Sequence, residues 1–345
     1  MYDLAVFIGR FQPFHLGHFN VIETALKTAK NVVVLVGSTD GPRNLRNPFT
    51  FQERVLMIHG SFSPEDNKRI HVWPLPDIMY NDDMWVRNVQ ETVQEAFTQL
   101  FGPWHPLAKV ALIGYAKDHT SFYLKLFPQW ESIDVPQKHP LSATTIREML
   151  FDGWELNDAV ANEYLTPYVQ GFLQSFMKRE EHKMLCRERE FIRAYKKSWE
   201  AAPYEPTFVT VDAVVVQSGH ILLVKRKSEP GKGLWAMPGG FLNPKEKIEN
   251  AVIRELREET KIKVPDPVLR GSIKKREVFD DPERSQRGRT ITHAFLIDLA
   301  DDVTLPKVKG SDDAEQAKWV PFSEVKQNNM FEDHWHIIQK MTGGL

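Results

Sequence analysis

Short runs of apolar residues alternate with amphipathic segments through the first half of the chain. The apolar runs have the length of buried strands, and the intervening segments repeat their apolar residues at helical spacing. The predicted strands are Asp3–Gly9, Asn31–Ser38, Arg69–Pro74 and Lys109–Gly114, and the predicted helices are His18–Lys30, Thr50–Gly60 and Met84–Leu100. This alternation predicts an α/β domain with a doubly wound parallel sheet, whose ligands bind at the carboxyl ends of the strands.

The hydrophobic pattern changes in the second half. Residues 156–199 read as helix with intermixed acidic and basic residues, which indicates a solvated connector, with a nucleic-acid-binding helix as the alternative. Ala201–Pro206 ends this helix and is the candidate linker. Beyond it the pattern predicts an α+β domain with strands Phe208–Gln217, His220–Lys227, near Leu269–Val278 and Arg289–Leu299, a hairpin turn at Ser218-Gly219, and a final helix after Pro321.

Chain length and composition agree with two globular domains. The 345 residues exceed the usual size of a single core, and the 42% of hydrophobic residues are enough to fill two. We expect residues 1–170 to form the first domain, 171–204 the helical connector and 205–345 the second domain. A net charge of −2 gives no overall field that would attract nucleic acid or an anionic membrane.

The single cysteine and the short apolar runs predict a cytoplasmic protein. Cys186 has no second cysteine for an intramolecular disulfide or a cysteine-rich zinc site, as is usual in a reducing compartment. No apolar run approaches the length of a membrane span. The sequence leaves the oligomeric state open, a homo-oligomer included.

The segment Gly9–His18 (GRFQPFHLGH) has the features of a phosphate-binding loop. It joins a strand to a helix, where unpaired backbone N–H groups and the positive end of the helix dipole favour an anion. His15 and His18 are three residues apart, so both imidazoles can face one phosphate. Arg10 adds positive charge, and Gly9, Phe11 and Gly17 complete the loop. A surface loop with two ordinary histidines is the alternative.

A second candidate anion site begins at Ser142. Ser142 and Thr144 place hydroxyl groups at the start of a helix, and Arg147 follows within the next turn. Alone, this segment would be read as a helix N-cap. Together with the histidine loop it predicts a clamp for a triphosphate.

These two segments resemble the HxGH nucleotidyltransferase superfamily, and the sequence GRFQPFHLGH resembles archaeal-type nicotinamide-mononucleotide adenylyltransferases. The resemblance implies a Rossmann-like fold and transfer of AMP from ATP to nicotinamide mononucleotide, with pyrophosphate and Mg²⁺ leaving together. It further implies that Arg10, His15 and His18 hold the phosphates at the reacting end. Ser142, Thr144 and Arg147 would hold the β- and γ-phosphates.

The nicotinamide site of that family implies a role for Asn81 and Trp85. The family has an asparagine three residues before a tryptophan that stacks on the pyridine ring, whereas this chain has Asp82 at that spacing and Asn81 one residue earlier. A tryptophan that belongs to the helix core is the alternative for Trp85.

Three glutamates on one predicted helix form the strongest chemical pattern in the chain. Glu255, Glu258 and Glu259 share one helix face, and their mutual repulsion would be relieved by a hard divalent cation such as Mg²⁺ or Mn²⁺. Arg254 and Glu246 can orient this cluster, and the Gly239-Gly240 pair can bring a backbone carbonyl to the same cation.

This pattern is similar to the Nudix box, GX5EX7REUXEEXGU with U aliphatic, and implies a C-terminal Nudix fold. The family implies Gly239, Glu255, Glu258 and Glu259 as metal ligands, with Glu258 and Glu259 catalytic in hydrolysis of a nucleoside diphosphate linked to another moiety. Lys261 stands where the box has its last glycine. We expect activity to survive this departure, since every carboxylate is present.

The substrate of the second domain is indicated by a basic segment. Arg287 and Arg289, with Arg284 nearby, can grip phosphates or a terminal ribose, and Arg287–Phe295 resembles ADP-ribose-type Nudix enzymes, including those fused to this adenylyltransferase. A solvated surface loop is the alternative. The segment 310–315 is where this family implies a catalytic base, but the sequence does not choose among Asp312, Asp313 and Glu315.

We therefore predict a bifunctional enzyme of NAD metabolism that binds ATP, nicotinamide mononucleotide and ADP-ribose. One alternative changes the acceptor of the first domain to a sugar phosphate, a flavin mononucleotide or a pantetheine phosphate. Another makes the second domain a sensor that binds ADP-ribose without cleaving it.

Overall fold

The chain folds into two compact units, Met1–Cys186 and Arg187–Leu345. The computed structural model describes residues 1–104, 108–115, 126–136, 142–152, 163–311 and 314–344. Within these ranges no helix combines the length and the apolar character that crossing a membrane requires. The division falls inside the segment predicted to be the connector.

The first unit is built on a five-stranded parallel sheet with the strand order β3-β2-β1-β4-β5. Its elements are β1 (Tyr2–Gly9), α1 (Leu16–Thr28), β2 (Ala29–Gly37), α2 (Phe51–His59), α3 (Pro64–Asn67), β3 (Ile70–Leu75), α4 (Asp82–Phe101), β4 (Val110–Gly114), β5 (Glu131–Asp134), α5 (Ala143–Phe151), α6 (Pro167–Phe176) and the first part of α7 (Glu180–Lys197). The predicted doubly wound α/β sheet is thus confirmed.

Strands of the first unit are apolar on both sides because helices cover both faces of the sheet. One buried cluster includes Phe7, Val34 and Ile22, and the cluster on the opposite face includes Val6, Leu35 and Val93. Residues that alternate along a strand point to opposite faces, so a strand buried on both sides reads as a continuous apolar run.

The second unit contains a seven-stranded mixed sheet with the central order β10-β11-β6-β7-β12, in which β8 pairs with β7 and β9 with β6. Its elements are β6 (Phe208–Gln217), β7 (His220–Arg226), β8 (Trp235–Ala236), β9 (Gly239–Phe241), α8 (Ile248–Thr260), α9 (Asp266–Gly271), β10 (Ile273–Phe279), β11 (Thr290–Asp298), β12 (Ala314–Pro321) and α10 (His334–Thr342). Strands β6 and β11 run parallel, whereas the other pairings are antiparallel.

Several boundaries differ from the sequence predictions. The strand predicted near Leu269 is wrong at its start, because residues 266–271 are helical, with Pro267 in the favoured first turn and Leu269 buried. The helical stretch predicted through residue 199 is broken between Phe176 and Glu180. The final helix begins at His334, after two short 3₁₀ turns that follow Pro321.

Candidate active sites

The loop between β1 and α1 packs its two histidines against each other. His15 is the N-cap of α1, where its Nδ1 accepts a hydrogen bond from the Gly17 N–H at 3.0 Å. The rings of His15 and His18 stack with centroids 3.8 Å apart. A Cβ on Gly17 would lie 2.7 Å from the His15 ring, so this close packing requires glycine. The buried ring of Phe11 packs against His18 at 4.8 Å.

Arg147 joins the second motif to this loop. Its guanidinium is buried, and it donates hydrogen bonds to the Gln12 carbonyl at 2.7 Å and to the Thr144 Oγ1 at 3.1 Å. Ser142 caps α5 by accepting from the Thr145 N–H at 3.3 Å. The cap interpretation of Ser142 is therefore confirmed, and the helix that it caps lies beside the histidine loop.

Several arginines make the region around the histidine loop and the start of α5 strongly cationic. Burial, together with the charges of Arg10 and Arg46, lowers the pKa of Arg147 to about 10. Burial also lowers the pKa of Arg54 to about 10, and Arg54 donates to the carbonyls of Arg10 at 2.8 Å and Gly37 at 2.5 Å. Both guanidiniums stay charged at neutral pH, so this region favours a polyanion.

The two residues predicted to bind nicotinamide lie at the start of α4. Asn81 is the N-cap, and its Oδ1 accepts from the Met84 N–H at 3.1 Å. Trp85 is half-buried and packs against the apolar cluster on that face of the sheet, with its ring centroid 6.2 Å from that of Phe127. The structure thus gives Asn81 a capping role and makes Trp85 partly a core residue.

In the second unit, two glutamates of α8 lie against β9. The Oε2 of Glu259 accepts a hydrogen bond from the Gly239 N–H at 3.0 Å. The carboxylate of Glu255 lies so close to β9 that a Cβ on Gly240 would be 2.6 Å from it. Glycine at this position therefore leaves the space that the Glu255 carboxylate occupies.

Arg254 holds the rest of the acidic cluster. It donates to Glu246 at 2.9 Å, to Glu255 at 2.7 Å and to Glu258 at 2.8 Å. The Glu258 side chain is 46% exposed. Among the described residues, no three acidic, histidine or cysteine side chains converge closely enough to hold a metal ion. The same Nη1 of Arg254 contacts both Glu255 and Glu258, so these two carboxylates lie next to each other, and the three-glutamate metal site stays a prediction.

A divalent cation nevertheless fits the part of this cluster that lies on β9. Burial raises the pKa of Glu259 to about 8, and the neighbouring Glu255 adds to the shift. A largely buried carboxyl group beside a second one is stabilised in its charged form by a cation. Glu255, Glu259 and the Gly239 main chain supply hard oxygen donors for it. Glu258, which shares Arg254 with Glu255, lies next to these donors.

A cavity of 270 Å³ opens beside Glu259 and Gly239. Arg287 lines it and lies over the rings of Phe241, at 5.4 Å, and Phe331, at 5.9 Å. Among the described residues, the buried Nε of Arg287 has no hydrogen-bond partner.

The other two arginines of the predicted basic loop bind to groups of the protein itself. Arg289 donates to the main-chain carbonyl of Asp280. Arg284 forms a buried, bidentate ion pair with Asp333, with both hydrogen bonds at 2.9 Å. The guanidinium of Arg284 is therefore held by Asp333 in the core, and the predicted grip of this arginine on a phosphate or a terminal ribose stays a prediction.

Comparison with known proteins identifies both units. A cytidylyltransferase-like family model matches residues 6–149, and a NUDIX domain model matches residues 206–341. The chain is 38% identical over 185 residues to a nicotinamide/nicotinic acid mononucleotide adenylyltransferase from Acinetobacter baylyi, an overlap of 53% of this chain and 92% of that protein. It is 34% identical over 131 residues to an ADP-ribose pyrophosphatase from Methanocaldococcus jannaschii, an overlap of 38% of this chain and 70% of that protein.

Solved structures match along almost the whole chain, as one example shows. It is a bifunctional NMN adenylyltransferase/ADP ribose pyrophosphatase from Francisella tularensis, complexed with AMP and a manganese ion. It has a TM-score of 0.89, 36% sequence identity and 99% coverage of both chains. This chain belongs to the family of bifunctional NMN adenylyltransferase/ADP-ribose pyrophosphatases. The predicted family, enzyme class and fold class, including the C-terminal Nudix fold, are confirmed.

Two features of this bifunctional family member bear on residues that the sequence analysis singled out. Lys261 ends α8 in the left-handed conformation, with φ 48° and ψ 31°, which a glycine would adopt without strain. Among the candidates for a catalytic base, Glu315 lies 3.6 Å from Lys225 in an exposed ion pair, and Asp312 and Asp313 lie outside the described residues.

Sequence reasoning missed residues that build the Nudix cavity. Asp212, a charged residue inside the apolar strand β6, accepts a hydrogen bond from the Thr292 Oγ1 at 2.5 Å beneath Gly239. A buried aspartate in such a strand was a usable signal. Glu332 and His334 also line the cavity, but they lie in a segment without a recognisable pattern.

Proposed function

We propose that the first unit transfers AMP from ATP to nicotinamide mononucleotide, giving NAD and pyrophosphate. The observation that carries this proposal is the hydrogen bond from Arg147 to the Gln12 carbonyl, which joins the Ser142–Arg147 element to the histidine loop. The family membership supports the acceptor. Asn81, with its side chain engaged in a cap, and Trp85 are the proposed nicotinamide contacts.

In this reaction a phosphate oxygen of the mononucleotide bonds to the α-phosphorus of ATP while the bond to the β-phosphate oxygen breaks. The protein's task is to position the reactants and to stabilise the charge that develops. Because the His15 Nδ1 accepts from Gly17, the neutral ring carries its proton on Nε2. We propose that His15, His18 and Arg10 donate to the reacting phosphates. Gly9, Phe11 and Gly17 shape the loop for ATP.

The triphosphate end of ATP is assigned to the second motif. The N-terminus of α5 presents the hydroxyl groups of Ser142 and Thr144, and Arg147 holds Thr144 in place. We propose that these three residues bind the β- and γ-phosphates, which leave as pyrophosphate. Mg²⁺ would neutralise part of the charge on that leaving group.

The second unit, in our proposal, hydrolyses ADP-ribose to AMP and ribose 5-phosphate. The supporting observation is the single cavity that contains Glu259, the β9 glycines and Arg287 with its buried Nε. A bound divalent ion supplies polarisation of the diphosphate and a more acidic attacking water. Glu255, Glu259 and the Gly239 carbonyl are the proposed ligands. We propose that Arg287 contacts the substrate and that Arg289 is a second, peripheral contact.

Glu258 has a distinct part in this proposal. Its partly exposed carboxylate shares Arg254 with Glu255, so it would be a further carboxylate ligand for the cation. We propose Mg²⁺ as the cation, with Mn²⁺ as a substitute. A cytoplasmic location and a homo-oligomeric state remain predictions.

The direct test is an assay of the purified whole chain against both sets of substrates. Incubation with ATP, nicotinamide mononucleotide and Mg²⁺ should yield NAD and pyrophosphate, and incubation with ADP-ribose and Mg²⁺ or Mn²⁺ should yield AMP and ribose 5-phosphate. ADP-ribose that binds but stays intact would show that the second unit is a sensor. Pyrophosphate release with a different phosphorylated acceptor alone would refute the nicotinamide assignment.

A further inference from the structure

A row of aromatic side chains lies along α7, on the part of this helix that belongs to the second unit. Phe191 and Tyr195 are four residues apart and so share one helix face, and Trp199 follows in the turn after the helix. The rings of Phe191 and Tyr195 have centroids 6.3 Å apart and are inclined by only 16°. Tyr195 meets Trp199 edge-on at 4.1 Å. All three residues precede the segment 206–341 that matches the NUDIX domain.

This helix is anchored to the second unit beside its cavity. The buried carboxyl group of Glu188 accepts a hydrogen bond from the main chain of Gly231, and Ile192 is 5% exposed. Phe191 and Tyr195 line the same cavity as Glu259. Glu188 and Ile192 therefore hold the helix so that its aromatic face, and not its charged face, forms a wall of the cavity.

Two chemically different groups of side chains line the cavity. Glu259 of α8 and the β9 glycines suit a diphosphate with its cation. Phe191, which is 39% exposed, and Tyr195 add two neighbouring aromatic rings to the lining. An exposed aromatic side chain at a cavity mouth gains free energy when it covers another ring. Arg287 also lines the cavity and can contact a phosphate or a ribose.

The size of the cavity agrees with a ligand that extends onto this surface. Its 270 Å³ is smaller than the roughly 300–1,000 Å³ that encloses most small-molecule ligands. A ligand as large as ADP-ribose therefore extends beyond this volume, and the exposed ring of Phe191 is available to a base that lies outside it. Adenine is the only aromatic ring in ADP-ribose, so it is the group that fits the aromatic wall.

We propose that Phe191 and Tyr195 bind the adenine base of ADP-ribose by stacking, so that a helix preceding the Nudix domain contributes to the substrate specificity of that domain. The proposal rests on the ADP-ribose hydrolysis proposed above. It makes the segment predicted to be a solvated connector part of the second active site.

The test compares two substrates that differ only in the base. One is ADP-ribose, and the other is the diphosphate diester of two riboses, which has both sugars and the diphosphate but no adenine. Phe191→Ala and Tyr195→Ala should each raise the KM for ADP-ribose about tenfold or more, since stacking on one aromatic ring is lost, and should leave kcat near the wild-type value. Their KM for the base-free substrate should not change.

Control variants separate stacking from a general effect on the helix. Tyr195→Phe keeps the ring and should keep the KM for ADP-ribose, and Lys196→Ala, at an exposed position outside the cavity lining, should behave like the wild type. Etheno-ADP-ribose gives an independent signal, because its fluorescence is quenched when its base stacks. The wild type should quench it, and Phe191→Ala should quench it less. NAD synthesis in each variant reports on the integrity of the chain.

The possible results distinguish adenine stacking from the ADP-ribose hydrolysis on which it rests. Failure of the wild type to form AMP from ADP-ribose would overturn the proposed hydrolysis. AMP formation by the wild type together with an unchanged KM in both alanine variants would overturn adenine stacking alone. An equal rise in KM for the two substrates would also overturn it, because the effect would then not depend on the base.

Discussion

Replacement of Gly240 by alanine should damage the Nudix site while leaving the fold nearly intact. The added Cβ would lie 2.6 Å from the Glu255 carboxylate, whereas ordinary van der Waals contacts begin at 3.4 Å. Arg254 already holds this carboxylate at 2.7 Å. Glu255 must therefore retreat by about 0.8 Å from β9.

The size of the effect on stability and on the rate follows from which group moves, here the Glu255 carboxylate. The clashing atoms are the far end of a flexible side chain, so a new rotamer costs the fold only about 0.5–1.5 kcal/mol. A misplacement of about 1 Å in a catalytic constellation can reduce the rate about 100-fold. We therefore expect Gly240→Ala to lower kcat for ADP-ribose hydrolysis by about 100-fold. The melting temperature of the second unit should fall by only a few degrees.

The assay measures AMP release from ADP-ribose by chromatography at saturating Mn²⁺, with thermal unfolding of the same samples. Gly271→Ala is the matched control, because a Cβ at that glycine meets no atom within 4 Å. Gly239→Ala should behave differently, since its Cβ would lie 2.2 Å from the Val211 carbonyl and would disturb strand pairing as well. A folded Gly240→Ala protein with wild-type hydrolysis would refute the assignment of Glu255 to the metal site.

Three further predictions concern stability and pH. Arg284→Ala should destabilise the second unit by about 3–5 kcal/mol in denaturant unfolding, because it leaves the buried Asp333 carboxylate without its ion-pair partner. Lys261→Gly should stabilise it by about 1 kcal/mol, because glycine adopts the left-handed conformation without a Cβ clash. Burial raises the pKa of Glu259 from 4.5 to about 8, so the native state retains a proton that the unfolded state has lost. The metal-free protein should therefore lose stability as the pH rises through this window, and calorimetry should show Mn²⁺ affinity rising by up to about tenfold per pH unit below 8.

The parts of the fold that repeat a regular pattern were predictable from the sequence. The strands of the parallel sheet are buried on both faces and read as apolar runs, and the hairpin of β6 and β7 was visible from its Ser218-Gly219 turn. Strands β8 and β9 have two and three residues, which is too short for any periodicity. The helix Asp266–Gly271 was mistaken for the start of a strand, since a single buried leucine in six residues fits either element.

The candidate sites were predictable where one short segment carries the chemistry. The histidine loop and the α8 glutamates are contiguous in sequence, so spacing alone placed them together. Contacts between distant segments were not predictable, among them the buried ion pair of Arg284 with Asp333. The position of Phe191 and Tyr195 in the Nudix cavity was also hidden, because their helix carries so many charges that it reads as solvated.

The central claim is that one chain carries two independent phosphate-handling sites, and two variants test it most directly. NAD synthesis and ADP-ribose hydrolysis should be measured side by side in His18→Ala and Glu259→Gln. We predict that His18→Ala abolishes NAD synthesis and keeps hydrolysis, whereas Glu259→Gln abolishes hydrolysis and keeps NAD synthesis. Loss of both activities from either substitution in a folded protein, or persistence of both in each, would contradict the account.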